Sequence, residues 1–111
     1  MKIIFNTDIV ALHPGKKPKK RTILVDQMEF EEHVFGLIKA LSIIKKWDGR
    51  NAFEVHPEAL SIQKFLKKNK KSITDFALLD GEEIYAKALS DIELICNKAY
   101  CYQGAFIMIE L

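Results

Sequence analysis

Three histidines, two cysteines and fifteen carboxylates are the residues of this chain with a chemistry to offer. His13, His33 and His56 stand far apart and form no HxH, HExxH or mixed Cys/His ligand spacing. The spacing therefore predicts no metal site and no cofactor. Cys96 and Cys101 lie five apart, which on a helix turns them to different faces. Cys96 reads as a small buried hydrophobe, and Cys101 sits near a helix end whose partial negative charge disfavours a thiolate. No G-x-S-x-G elbow occurs, and the five glycines never form G-x-G or a P-loop. Glu31/Glu32 and Glu82/Glu83 are adjacent pairs whose side chains diverge, so they do not make an acid–base couple. The pattern predicts no catalytic residues.

Charge is distributed unevenly. Lys16, Lys17, Lys19, Lys20 and Arg21 form one basic cluster, and Lys64, Lys67, Lys68, Lys70 and Lys71 form another. Together they hold ten of the seventeen cations. Carboxylates gather instead at 26–32 and 75–93, among them Asp75, Asp80, Glu82 and Glu83. A plain reading makes these solvated loops that keep a small protein in solution. A sharper one makes them a surface for an acidic partner or a phosphate backbone. Phe65 is the one aromatic residue among the lysines, too little for a base-stacking platform, and the clusters contain a single arginine. A protein partner is thus preferred to nucleic acid.

The elements that must carry these groups follow from periodicity. Lys2 to Leu12 reads as a strand, His13-Pro14-Gly15 as a turn, and Thr22 to Val25 as a short second strand. A hairpin with a long basic tip is expected, a short crossover being the alternative. Asp26-Gln-Met-Glu29 has the form of a capping box, with Val25 and Phe30 as its hydrophobic staple. From there Phe30, Val34, Leu37, Ile38, Leu41 and Ile44 keep helical spacing up to Lys45, Lys46 and a stop at Gly49. This predicts one long helix with Leu37 and Leu41 in the core. Phe35, Ile43 and Trp47 widen its apolar surface enough to suggest a second covered side or a docking patch. Ala52 to Val55 reads as strand or loop, and Pro57 opens a short helix that ends in the second lysine cluster. Ile73 to Leu79 reads as a strand. Asp80-Gly-Glu-Glu83 is a second capping box, followed by apolar residues at helical spacing to Ala99. One long helix is favoured there over a hairpin and a shorter helix, because the period passes Ser90 without a slip. Gly104 ends it, and Ala105 to Leu111 reads as a final strand.

With 111 residues and 49% apolar content, the chain suits one domain, residues 1–111, able to fold without metal or disulfide. The expected class is α+β: a small, mainly antiparallel sheet of an N-terminal hairpin and a C-terminal strand, covered by two or three helices. No apolar run is long enough for a membrane span, and Asp8 interrupts the one N-terminal stretch that a signal peptide could use. A cytoplasmic location with reduced thiols is expected.

In size, compartment and general make-up the chain resembles the small immunity proteins of bacterial toxin systems, the contact-dependent growth-inhibition type above all. The resemblance is carried by no motif, so it transfers no site residue. It implies a non-catalytic protein that binds and neutralises one cognate partner, a toxin or other effector. Immunity proteins against basic nucleases tend to be acidic, whereas this chain has a net charge of +2. The partner would then meet either Lys16, Lys17, Lys19, Lys20, Lys67, Lys68, Lys70 and Lys71, or Asp75, Asp80, Glu82 and Glu83. A phage-encoded inhibitor of host defence has the same description. A nucleic-acid-associated protein and an enzyme with a dispersed site are the readings from other classes.

Overall fold

A computed structural model describes residues 1–11, 14–76 and 80–110. Among these, the order is β1 (Lys2–Ala11), β2 (Lys19–Glu29), α1 (His33–Leu37), α2 (Leu41–Lys45), α3 (Ala52–Lys68), α4 (Lys70–Phe76), α5 (Gly81–Cys101) and β3 (Phe106–Glu110). The three strands form an antiparallel sheet in the order β2-β1-β3, so the class is α+β as expected. Leu12, His13, the expected strand's Ala77 to Leu79, and Leu111 lie outside the described residues.

β1 and β2 are the anticipated hairpin, but β2 runs through the presumed capping box to Glu29. The reason is a period of two. Met28 and Phe30 turn inward to the core, while Gln27 and Glu29 face solvent. Asp26 therefore caps no helix. It accepts instead from Lys98 Nζ and Tyr102 Oη, both supplied by the far end of the chain.

The long helix predicted after it is two short ones. α1 closes in a Schellman motif: Ala40 N–H donates to Phe35 O at 2.8 Å and Lys39 N–H to Gly36 O at 3.1 Å. Lys39 takes the left-handed position, at φ +60°, where glycine is usual. Leu37 consequently ends in solvent, 37% exposed, and Leu41 is only partly buried. Val34, Phe35, Ile44 and Trp47 fill the core in their place. Phe35 and Trp47 thus offer no docking patch, although Ile43 does remain exposed.

Ala52 to Val55 is the first turn of α3. Asn51 Oδ1 caps it by accepting from Phe53 N–H at 2.8 Å, which leaves Pro57 inside the helix. Ile73 belongs to α4 and not to a strand. α5 begins where expected and passes Ser90 unbroken, but its capping box does not form. Asp80 is left-handed at φ +56° and makes no side-chain cap.

The helices cover one face of the sheet. Ile3, Phe5 and Ile107 point into a core shared with Val55, Leu66, Ile92 and Ile95. Two buried polar ties fix the layers. Tyr85 Oη donates to Leu66 O at 2.7 Å, joining α5 to α3. Asp91 accepts from Glu31 N–H at 3.0 Å and from Lys87 Nζ at 2.7 Å, joining α5 to the end of β2. Among the described residues, no helix is long and apolar enough to cross a membrane.

Candidate functional site

β3 pairs with β1 only from Lys2 to Asn6. The β1–β2 ladder continues without it from Thr7↔Ile23 to Ala11↔Lys19. Five residues of strand carry this ribbon roughly 17 Å past the three-stranded sheet before the turn begins. It accounts for a molecule 64 Å long and only 22 × 19 Å across.

A bulge marks the base of the ribbon. Phe5 pairs with Asp26 and Asn6 with Leu24, which leaves Val25 as the extra residue of β2. Such an insertion bends a strand and increases its twist. Asp26 pins the strand beside it, through Lys98, through Tyr102 Oη at 3.1 Å and through Gln27 N–H at 2.8 Å. The Lys98 ammonium hydrogen-bonded to Asp26 holds its carboxyl below the usual carboxylate range, and the Gln27 amide and Tyr102 hydroxyl act the same way.

Opposed residues in an antiparallel pair share a face, so the register sorts the ribbon's side chains. One face carries Thr7, Ile9, Lys19, Arg21 and Ile23. The other carries Asp8, Val10, Lys20, Thr22 and Leu24. Asp8 is satisfied on its own face: Thr22 Oγ1 donates to it at 2.9 Å and Lys20 Nζ lies 3.0 Å away. Those bonds, Lys20 first, lower the Asp8 pKa. Among the described residues, no carboxylate pairs with Lys16, Lys17, Lys19 or Arg21. Large apolar side chains stay in solvent along the same stretch: Ile9 is 49% exposed, Val10 58% and Leu24 53%, with Ile23 and Val25 also exposed.

The other charged residues sit elsewhere in the fold. Lys67 and Lys68 end α3, Lys70 and Lys71 begin α4, and all four are exposed. Lys67 lies 3.7 Å from Glu93, and Lys70 stands over the Tyr85 ring, 5.9 Å from its centroid. Part of that cluster is thus engaged with α5. Asp75 lies in α4, Asp80 immediately precedes α5 without capping it, and Glu82 and Glu83 occupy its first turn, all in solvent. The two lysine groups belong to different parts of the fold, the ribbon tip and the α3–α4 junction. No ion pair or side-chain hydrogen bond joins them among the described residues.

Residues with chemical potential stay dispersed. His33 opens α1 in solvent, and the His56 ring lies tilted against Tyr100, with ring centroids 5.6 Å apart. Cys96 is buried, and burial raises its pKa to about 11, whereas Cys101 is exposed. Among the described residues, no group of three histidines, cysteines or carboxylates is placed to hold a metal ion.

Sequence reasoning missed the exposed apolar flanks of the ribbon. Ile23, Leu24 and Val25 looked like an ordinary short strand; that their side chains stay in solvent shows only in the folded structure. Set against family models, curated proteins and solved structures, the chain matches none.

Proposed function

We propose that the protein is a non-catalytic, protein-binding inhibitor that works by inserting its β1–β2 ribbon into a cleft of a partner, in the manner of an immunity protein neutralising a cognate toxin. The observation that carries this reading is the ribbon itself: a projecting arm with apolar flanks and a lysine tip. A two-stranded hairpin gains little stability alone in water, and exposed apolar side chains cost solvation. An arm of this composition is accounted for by a partner that covers it. Burying Ile9, Val10, Ile23 and Leu24 supplies apolar contact, and the unpaired cations call for an acidic cleft.

The test is reconstitution with a candidate partner, taken first from the neighbouring gene. A stoichiometric complex is expected, in which Lys16→Glu, Lys17→Glu and Lys19→Glu together slow association and reduce its salt sensitivity while the melting curve holds. Unchanged association would refute the ribbon as the contact arm.

One observation favours a second reading. A two-stranded β-ribbon fits the major groove of duplex DNA, and this one has a cationic tip. Against it, the flanks present isoleucine, valine and leucine where base-reading side chains would be needed. Duplex binding that falls with salt at a log–log slope near −0.9 per phosphate contacted would support the nucleic-acid reading.

A further inference from the structure

The geometry points to a specific mode of docking: the edge of β1 from Thr7 to Ala11 receives an extended segment of the partner protein as an added strand, antiparallel to β1 and collinear with β3. The inference rests on the ribbon being a protein-binding arm and adds how it binds and what it selects.

The sheet has three open stretches of edge, and two are managed. The outer edge of β3 is covered by the segment before α3. Gly49 N–H donates to Ile107 O at 2.7 Å, Ile107 N–H to Arg50 O at 2.8 Å, and Ile109 N–H to Asp48 Oδ1 at 2.8 Å. The outer edge of β2 is broken by the bulge at Val25 and begins with Lys19, Lys20 and Arg21. Bulges and lysines are the usual protections against strand addition. The edge of β1 beyond Asn6 has neither. It reads Thr7-Asp8-Ile9-Val10-Ala11, without lysine, proline or bulge. Its one charge, Asp8, is bonded across to Thr22 and Lys20 on β2 and so does not repel an incoming chain.

The gap is also the right size. β3 stops at Phe106, opposite Asn6, which leaves the strand from Thr7 to Ala11 before the turn. An added strand there would give the ribbon the third strand that hairpins need for stability. Its side chains would lie beside Ile9 on one face and Val10 on the other, so β-branched or aromatic residues suit those positions. Because the incoming strand runs antiparallel, its N-terminal end lies at the lysine tip, where carboxylates would meet Lys16 and Lys17. A second copy of this chain could pair Ile9 with Ile9, but would leave both basic tips without an anion. Charge complementarity therefore favours an acidic segment of another protein.

A peptide probe tests this directly: acetyl-Glu-Glu-Thr-Val-Thr-Val-Thr-amide titrated into the 15N-labelled full chain. The expected result is a Kd on the order of 1 mM, with shifts concentrated at Thr7–Ala11. Interstrand contacts should appear between peptide and β1, and binding should weaken at least about fivefold when the glutamates are moved to the C-terminal end. Val10→Lys, at an exposed position, should reduce affinity about tenfold with an unchanged melt. No shifts at millimolar peptide, shifts on β2 or the helices, or a dimer that Val10→Lys dissolves would each overturn the proposal. With an actual partner protein, if the lysine-tip substitutions weaken binding but Val10→Lys does not, strand addition fails and the contact arm stands. If neither substitution matters, both fail.

Discussion

Tyr102 Oη donates to the Asp26 carboxylate across 3.1 Å, joining residues 76 positions apart at the base of the projecting ribbon. Lys98, one turn earlier on α5, reaches the same carboxylate. The C-terminal end of α5 therefore holds β2 at the point where it leaves the body. Replacing Asp26 with Asn should cost about 1–3 kcal/mol near neutral pH, because Lys98 loses its charged partner in a largely covered position. The folded-state pKa of Asp26 lies below its unfolded value, so its contribution is present above about pH 4 and is lost as pH falls through the folded value. Denaturant melts of both proteins between pH 2 and 7 should show the gap closing on the acid side. A gap that stays constant would mean that the ionised carboxylate is not what stabilises the junction.

The same residue shows where sequence reasoning reaches its limit. Asp26 to Glu29 satisfies two local patterns at once, a capping box and an alternating strand, and only the partners on α5 decide between them. The hairpin, the long α5 and the last strand were the readings that their apolar periods favoured over the alternatives, and the fold contains all three. The break at Lys39 was not, since a lysine in the left-handed cap position leaves no compositional mark. Of the candidate site, the lysine tip could be read directly. The bare ribbon behind it depends on where β3 ends, a relation between residues 100 positions apart.

The broken helix makes a sharp prediction about two apolar residues on the same predicted stripe. Ile44 is fully buried, and Ile44→Ala should cost on the order of 2–5 kcal/mol through lost burial and a cavity. Leu37, the last residue of α1, is turned to solvent by the break that follows it, and Leu37→Ala should cost less than about 1 kcal/mol. Comparable losses in urea melts of the two variants would restore the continuous helix and refute the Schellman turn.

Gly81 illustrates a close approach. A Cβ built there would sit 2.3 Å from the carbonyl oxygen of Thr74, so α4 and α5 can meet only because this residue has no side chain. Gly81→Ala should destabilise by about 1–3 kcal/mol as one helix is pushed off the other. Gly36 in α1 is the control: nothing lies within 4 Å of its would-be Cβ. Gly36→Ala should therefore stabilise by about 0.4–1 kcal/mol, through the lower entropy of the unfolded chain. Thermal melts with opposite signs for the two substitutions would confirm the contrast; equal signs would contradict the packing of α4 on α5.

The ribbon should be dispensable for folding and necessary for binding. Its exposed residues contribute little to the core, which is built from Ile3, Phe5 and Met28 on the part of the hairpin that lies within the body. Thr7 stands directly opposite Ile23, so the strands can be rejoined there by deleting Asp8–Thr22 and inserting Asn-Gly, a two-residue turn whose twist suits an antiparallel pair. The shortened protein should melt cooperatively, within about 1 kcal/mol of the parent, or roughly 4–8 °C for a domain of this size. Asp26, Lys98 and Tyr102 remain in place, so the base of the hairpin stays pinned. Partner binding and any neutralising activity should disappear. Loss of the cooperative melt would show that the ribbon is part of the folding unit, and its exposed flanks would then need no partner to explain them. Retained binding by a cooperatively folded, shortened protein would move the interface to the helical layer, where Ile38, Ile43 and Phe65 line an open apolar cleft of about 420 Å³.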